Sequence, residues 1–218
     1  SAEHAGAKEV YMIHEPMAAA IGMGIDVEEP VGNMIIDIGG GTSEIAVIAL
    51  GGIVCDKSIR IAGDDFNANI EEYMRRQHNI LIGERSAEQV KIEVGAAMTE
   101  IENPPADFAV QGRDLMSGIP KEVFVSYVEI AHCLDKSIAK IEEAILNALE
   151  MTPPELAADI YRTGIYMAGG GSLLRGLDKR ISLKTKLAVH VCEDPLRAVA
   201  RGTGIALKNV HKFPFLIK

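Results

Sequence analysis

The tightest constraint on this chain is the stretch Asp37-Ile38-Gly39-Gly40-Gly41-Thr42-Ser43-Glu44. It lies between two apolar runs of strand length, Met34-Ile35-Ile36 and Ile45-Ala46-Val47-Ile48-Ala49-Leu50, rich in residues that favour strands. Three glycines joining two such runs predict a hairpin whose backbone can turn freely. With no side chains in the way, its N–H groups can approach an anion closely. Asp37, at the end of the first strand, could hold a metal through water, and Thr42 adds a hydroxyl at the tip. The residues alone leave two readings open: a phosphate-binding hairpin, or an ordinary glycine hairpin with a capping Asp.

The 218 residues are enough for one large domain or two small ones. With 48% hydrophobic residues and no tryptophan, the core must be aliphatic. A formal net charge of −9 argues against a nucleic-acid partner, since such proteins carry a basic face. It leaves room for a mononucleotide, which needs only a local positive site. Cys55, Cys133 and Cys192 are far apart and show no metal-ligand spacing, as expected of reduced, buried thiols.

Along the chain, Ser1 to Glu9 reads as the tail of a helix and Val10 to His14 as a short strand. Pro16 suits the first turn of a helix running to Gly22. After the hairpin, Gly51-Gly52 turns the chain into a third strand, Ile53 to Ile61, completing an antiparallel meander. Helices are expected over Asp65 to Asn79 and Ala87 to Met98, the second opened by a Ser86/Gln89 capping box. Short strands follow around Phe108 and Glu122. A Ser126/Glu129 capping box then opens a long helix whose stripe Ile130, Leu134, Ile138, Ile141, Ile145 and Leu149 is core. A strand at Ile165-Tyr166-Met167 runs into Ala168-Gly169-Gly170-Gly171-Ser172, with a helix expected from Leu173. A strand, a glycine turn and a helix N-terminus make a ready anion or nucleotide surface. Leu187 to Val191 is a further strand, and Leu196 to Leu207 a final helix containing Gly202 and Gly204. Alternating strands and helices behind a meander predict an α/β domain.

The glycine clusters do not fit a Rossmann fingerprint, and no P-loop is present. What remains is an ordered pattern: Glu15-Pro16-x-Ala-Ala-Ala, Asp37-x-Gly-Gly-Gly-Thr, Ala168-Gly-Gly-Gly-Ser-x-Leu, then Ala200-Arg-Gly-x-Gly. This order resembles the actin/Hsp70/sugar-kinase ATPase superfamily. Within it, the stretches EPMAAAIG (15–22), NMIIDIGGGTSEIAVIALGGIV (33–54), SIRIAGD (58–64), IGERSAEQVKIEVG (82–95), TPPELAADI (152–160) and GGGSLLRGLD (169–178) resemble the MreB family of bacterial actin-like cell-shape proteins. The resemblance covers essentially the whole chain.

The resemblance implies an α/β, actin-like (ribonuclease-H-like) ATPase fold and a set of roles. Gly39, Gly40, Gly41 and Thr42 match the second phosphate loop, with Asp37 near Mg²⁺ and Thr42 near the γ-phosphate. Glu15 matches the acid that positions or deprotonates the attacking water, so Glu15 and Thr42 are the expected catalytic pair. Glu88 and Lys91 match residues near ribose and base, and Gly169, Gly170, Gly171 and Ser172 match the adenosine motif. The implied cofactors are ATP and Mg²⁺. Such chemistry is consistent with phosphoryl transfer to water, which rests on backbone donors, charge neutralisation and an oriented water.

The family's first phosphate loop, an Asp-x-Gly-Thr hairpin, is not in this sequence. The expected content is therefore the second half of the fold, the N-terminal half being missing. Residues 1–15 would end the first large subdomain. Residues 16–56 and 119–189 would form the second large subdomain, with 57–118 an inserted small α+β subdomain and 190–218 the return to the first. Alone, this piece is expected to bind ATP weakly and hydrolyse little. The expected function is an ATP-binding cytoskeletal protein, cytoplasmic at the inner face of the membrane. It would self-associate into filaments and direct wall synthesis and rod shape with membrane-anchored partners, touching the membrane surface through the missing half. The alternatives are an Hsp70-like or sugar-kinase ATPase, or a non-catalytic docking fragment.

Overall fold

The computed structural model describes residues 2–217. Its elements are α1 (Glu15–Gly22), β1 (Asn33–Ile38), β2 (Ser43–Ala49), β3 (Gly52–Ile59), α2 (Gly63–Gln77), β4 (Ile80–Leu81), α3 (Glu84–Val94), β5 (Phe108–Asp114), β6 (Pro120–Val125), α4 (Tyr127–Glu150), α5 (Pro154–Thr163), β7 (Ile165–Ala168), α6 (Leu177–Thr185), β8 (Val189–Val191) and α7 (Ala198–Lys208). The strands form a five-stranded sheet, order β3-β2-β1-β7-β8, and a three-stranded sheet, order β4-β5-β6. The meander is antiparallel, whereas β7 joins β1, and β8 joins β7, in parallel.

β1 is central and buried along its whole length. Its side chains alternate between two cores, as strand geometry requires. Met34, Ile36 and Ile38 enter a core shared with α2, α3 and α4, while Ile35 enters a second core with α1, α7 and Phe213. Each fully buried Ile or Leu contributes about 1.5–3 kcal/mol of burial. The stripe expected on α4 is where those contacts are made: Ile130, Leu134, Ile138, Ile141 and Ile145 are fully buried. The Ser126/Glu129 box forms, the Ser126 N–H donating to Glu129 Oε2 at 2.8 Å and the Glu129 N–H to Ser126 Oγ at 3.3 Å. All three cysteines are free and half-buried, and burial pushes the Cys133 thiol up to about 12. No helix of the described residues is long and apolar enough to cross a membrane.

Several local expectations fail for identifiable reasons. Residues 2–6 form turns closed by local bonds such as Gly6 N–H to Glu3 O, residues 7–9 are not helical, and Ser1 lies outside the described residues. The expected strand at Val10–His14 reduces to a single bridge between Met12 and Ile217. The Ser86 capping box does not form. The extended backbone of Gly83 starts α3 early, leaving Ser86 inside the first turn. After the second glycine motif, a 3-10 turn (Gly170–Leu173) precedes α6, which begins only at Leu177.

Two glycines explain how α1 and α7 cross. A Cβ on Gly22 would lie 1.9 Å from Ala198 O, and one on Gly202 would lie 1.7 Å from Ala18 O. The helices therefore touch backbone to backbone. Gly204, two residues on, faces open space. Gly202→Ala should cost at least about 2 kcal/mol by overpacking, whereas Gly204→Ala should gain about 0.5–1 kcal/mol from helix propensity. Chemical denaturation of the two variants checks the contrast, and equal effects would show that the crossing is loose.

Candidate functional site

The parallel pairing of β1 with β7 sets Asp37 opposite Ala168. Both strands end at glycine-rich turns, so two motifs about 130 residues apart in sequence meet at one sheet edge. Gly169 adopts φ +81°, and a Cβ there would lie 2.3 Å from both Asp37 Oδ1 and Ile38 O. On Gly171 a Cβ would lie 2.2 Å from Ile38 Cγ2. Only glycine permits this approach.

The first glycine loop is tied down on its carbonyl side. Gly39 N–H donates to Thr42 O, closing the hairpin at 3.0 Å. The Gly39 and Gly40 carbonyls accept the first amides of α2, Gly63 N–H at 3.1 Å and Asp64 N–H at 2.8 Å. These are amides that a helix start leaves without internal partners. Asp65 reaches back to the Ala62 N–H at 3.1 Å, and Ser43 Oγ donates to Ile61 O at 2.6 Å. The loop is thus held to the start of α2 at several points.

Between the two turns lies a cleft of about 530 Å³, the size of a small-molecule site. Glu15, Asp37, Gly39, Gly40, Glu88, Lys91, Gly169, Gly170 and Gly171 all line it. The remaining expected residues do not. Gly41 is exposed at the hairpin tip, and Thr42 contributes its carbonyl to the hairpin. Ser172 is buried, and its Oγ donates to Gly169 O at 2.7 Å, which braces the turn. Other lining residues escaped sequence reasoning: Gly63 and Asp64 at the start of α2, and an apolar wall including Ile92, Leu173, Leu196 and Val199. Gly63 and Asp64 reach the cleft because their amides are bonded to the Gly39 and Gly40 carbonyls, a long-range pairing that no local pattern announces. No local pattern marks the apolar wall as one surface, because its residues come from two helices and two 3-10 turns.

Asp37 is only 3% exposed, and its Oδ2 has no hydrogen-bond partner among the described residues. Burial, reinforced by the Glu15 and Glu44 carboxylates, raises its pKa to about 6. Glu44 is the cross-strand partner of Asp37. A buried acceptor without a partner is costly, and a hydrated divalent cation would satisfy it. Mg²⁺ suits such a site, since it takes one or two carboxylates and completes its shell with water and phosphate. Across the cleft, Lys91 Nζ donates to Gly63 O at 3.1 Å. Burial lowers the Lys91 pKa against the opposing pull of Glu88 and Asp64. The cleft brings together glycine backbone, a carboxylate suited to a cation, a lysine and apolar side chains. It can take a ligand that has both anionic and apolar parts.

The MreB/Mbl protein family model matches residues 1–214. The chain is 44% identical over 214 residues to the cell shape-determining protein Mbl of Bacillus subtilis, covering 98% of this chain and 64% of that protein. It is 47% identical over 210 residues to the cell shape-determining protein MreB of Escherichia coli, covering 96% of this chain and 60% of that protein. The chain thus spans less than two thirds of the length of these relatives. Among solved structures, MreB5 of Spiroplasma citri bound to AMPPNP matches with TM-score 0.93 and 41% identity, over 97% of this chain and 63% of that one. A MamK double helical filament, at 24% identity and TM-score 0.72 over 92% of this chain and 59% of that one, shares the fold alone.

Asp37 makes stability depend on pH in a defined direction. Its folded-state pKa lies above its ordinary value of 3.8, so its contribution is fully present below that value. It is lost as pH rises through about 6. Asp37→Asn removes this loss and should be more stable than the parent at pH 7 by about 1–3 kcal/mol. The gap should close towards pH 4. Urea titrations of both forms across that range provide the check, and a pH-independent difference would contradict the burial of an unpartnered charge.

Proposed function

The chain belongs to the MreB/Mbl family, and from that premise we propose that its cleft is one wall of an actin-like ATP site in a cytoskeletal, cell-shape-determining protein. The fold is actin-like, as the motif order implied. The observation that carries the nucleotide reading is the buried Asp37 carboxylate, which lines the cleft beside two glycine turns and has one oxygen without a hydrogen-bond partner among the described residues. The MreB5 structures bound to AMPPNP and to ADP support it, since that protein is 41% identical to this chain.

In this reading the apolar wall receives the base, Glu88 and Lys91 flank the sugar, and the phosphates lie over the Gly39–Gly40 turn. Asp37 would hold Mg²⁺ through its free oxygen. When bound, the ion supplies charge neutralisation across the phosphates. Glu15, at the start of α1 and exposed on the cleft wall, orients the attacking water and accepts its proton. The glycine turns bring backbone to the ligand without side-chain obstruction. Thr42 acts at the γ-phosphate only if the hairpin tip closes over the ligand, because it stands outside the cleft lining.

By the same family reading, the protein self-associates into filaments at the inner face of the membrane. There it works with membrane-anchored proteins of wall synthesis to direct rod shape. ATP turnover is slow and coupled to polymer state.

Titration of Mg-ATP against the complete polypeptide tests the cleft. ATP should bind in a Mg²⁺-dependent manner, and Asp37→Asn should abolish that dependence. Absence of ATP binding would overturn the reading. Glu15→Gln should lower single-turnover hydrolysis by about 10²-fold while leaving ATP affinity nearly unchanged. Pelleting with and without ATP tests assembly, and nucleotide-independent recovery in the supernatant would count against a filament.

A further inference from the structure

The second glycine turn is followed at once by a segment that reaches the opposite wall of the cleft. The backbone of Arg175 forms a parallel bridge with Ala96, in which the Ala97 N–H donates to Arg175 O at 2.8 Å. The Arg175 guanidinium donates from Nη1 to Ile92 O at 2.9 Å and to Gly95 O at 3.4 Å. These carbonyls belong to the last turn of α3 and its C-cap, where helix geometry leaves acceptors without internal partners. A cation there is also favoured by the helix dipole. A Cβ on Gly95 would lie 2.1 Å from Lys91 O and 2.9 Å from Leu174 Cδ1, so the end of α3 lies close against the segment that carries Leu174 and Arg175.

The same helix presents Glu88 and Lys91 to the cleft. α3 packs on β5 of the three-stranded sheet, whereas Arg175 follows β7 of the five-stranded sheet. Arg175 therefore spans the two walls, fastening the helix that carries Glu88 and Lys91 to the turn that carries Gly169 to Gly171. Nearby Arg180 is engaged differently. It donates to Glu142 and Asp135 of α4 and to Ala97 O, so its role is in the framework below the cleft.

We propose that Arg175 is a positioning residue for the nucleotide: by capping the C-terminal end of α3 it sets Glu88 and Lys91 against the glycine turn, and it acts on the ligand only through them. The proposal rests on the nucleotide reading of the cleft. Both bonds leave the one Nη1 nitrogen, so a lysine ammonium, which carries three donors on a shorter side chain, can replace them in part.

A double-mutant cycle on the complete polypeptide tests it, with Mg-ATP affinity as the readout and thermal unfolding recorded alongside. Arg175→Ala should weaken ATP binding about tenfold, and Arg175→Lys should recover part of the loss. In a Glu88→Gln/Lys91→Ala background, Arg175→Ala should add under about twofold, since the groups it positions are already gone. An undiminished loss in that background, or no loss in the parent, would overturn the proposal. If the parent polypeptide binds no ATP, the nucleotide reading falls first and this falls with it. Should Arg175→Ala not fold, Arg175→Gln keeps one donor and most of the stem and serves in the same cycle.

Discussion

The rest of the structure depends on the parallel contact between the end of β1 and the end of β7. It sets Asp37 beside Ala168 and brings backbone within touching distance at Gly169 and Gly171. Any side chain at those two positions would separate the strands or displace the Ile38 side chain from the core. The same contact buries a carboxylate and leaves one of its oxygens unpartnered. A fold selected for stability alone would put an apolar or neutral residue at such a site. An uncompensated acid at the strand end, with Glu15 and Glu44 raising its pKa further, is intelligible as a place where positive charge arrives from outside the chain.

Around this contact the cleft is held from both sides by groups that helices leave free. At one wall, the carbonyls of Gly39 and Gly40 take up the first amides of α2. At the other, the guanidinium of Arg175 takes up the last carbonyls of α3. α2 and α3 pack on the core that α4 shares with the central sheet. The two glycine turns are therefore each fastened to a helix from the segment between the meander and α4. Ligand-lining backbone held in this way is preorganised, which lowers the ordering cost of binding.

Much of this was legible in the residues. The alternation in β1 and the stripe along α4 follow from side-chain periodicity. The Ser126/Glu129 box is a local exchange of hydrogen bonds, so it could be read from four residues. The glycine motifs, taken in order with Glu15, pointed to one site, and Glu15, Asp37, Gly39, Gly40, Glu88, Lys91 and Gly169 to Gly171 do share one cleft. Other features were not legible. Ser86 looked like a cap, but Gly83 starts the helix first. Ser172 belongs to the adenosine-like motif, and nothing in the motif says that its hydroxyl donates to its own turn. Leu173, Leu196 and Ile92 come from different segments, so no local pattern says that they share one wall.

By itself, then, the sequence determined the α/β class, the meander, the principal helices and the family, because each is written in local periodicity or in motif order. Only the tertiary structure decided which motif residues face the cleft and which brace it. It alone showed that Asp37 is buried without a partner for one oxygen. It alone joined Arg175 to α3, across some eighty residues of chain. The physical reason is the same in each case. Burial, electrostatic environment and long-range hydrogen bonding are properties of what lies next to a residue in space, and in a sheet with parallel crossovers those neighbours are distant in sequence.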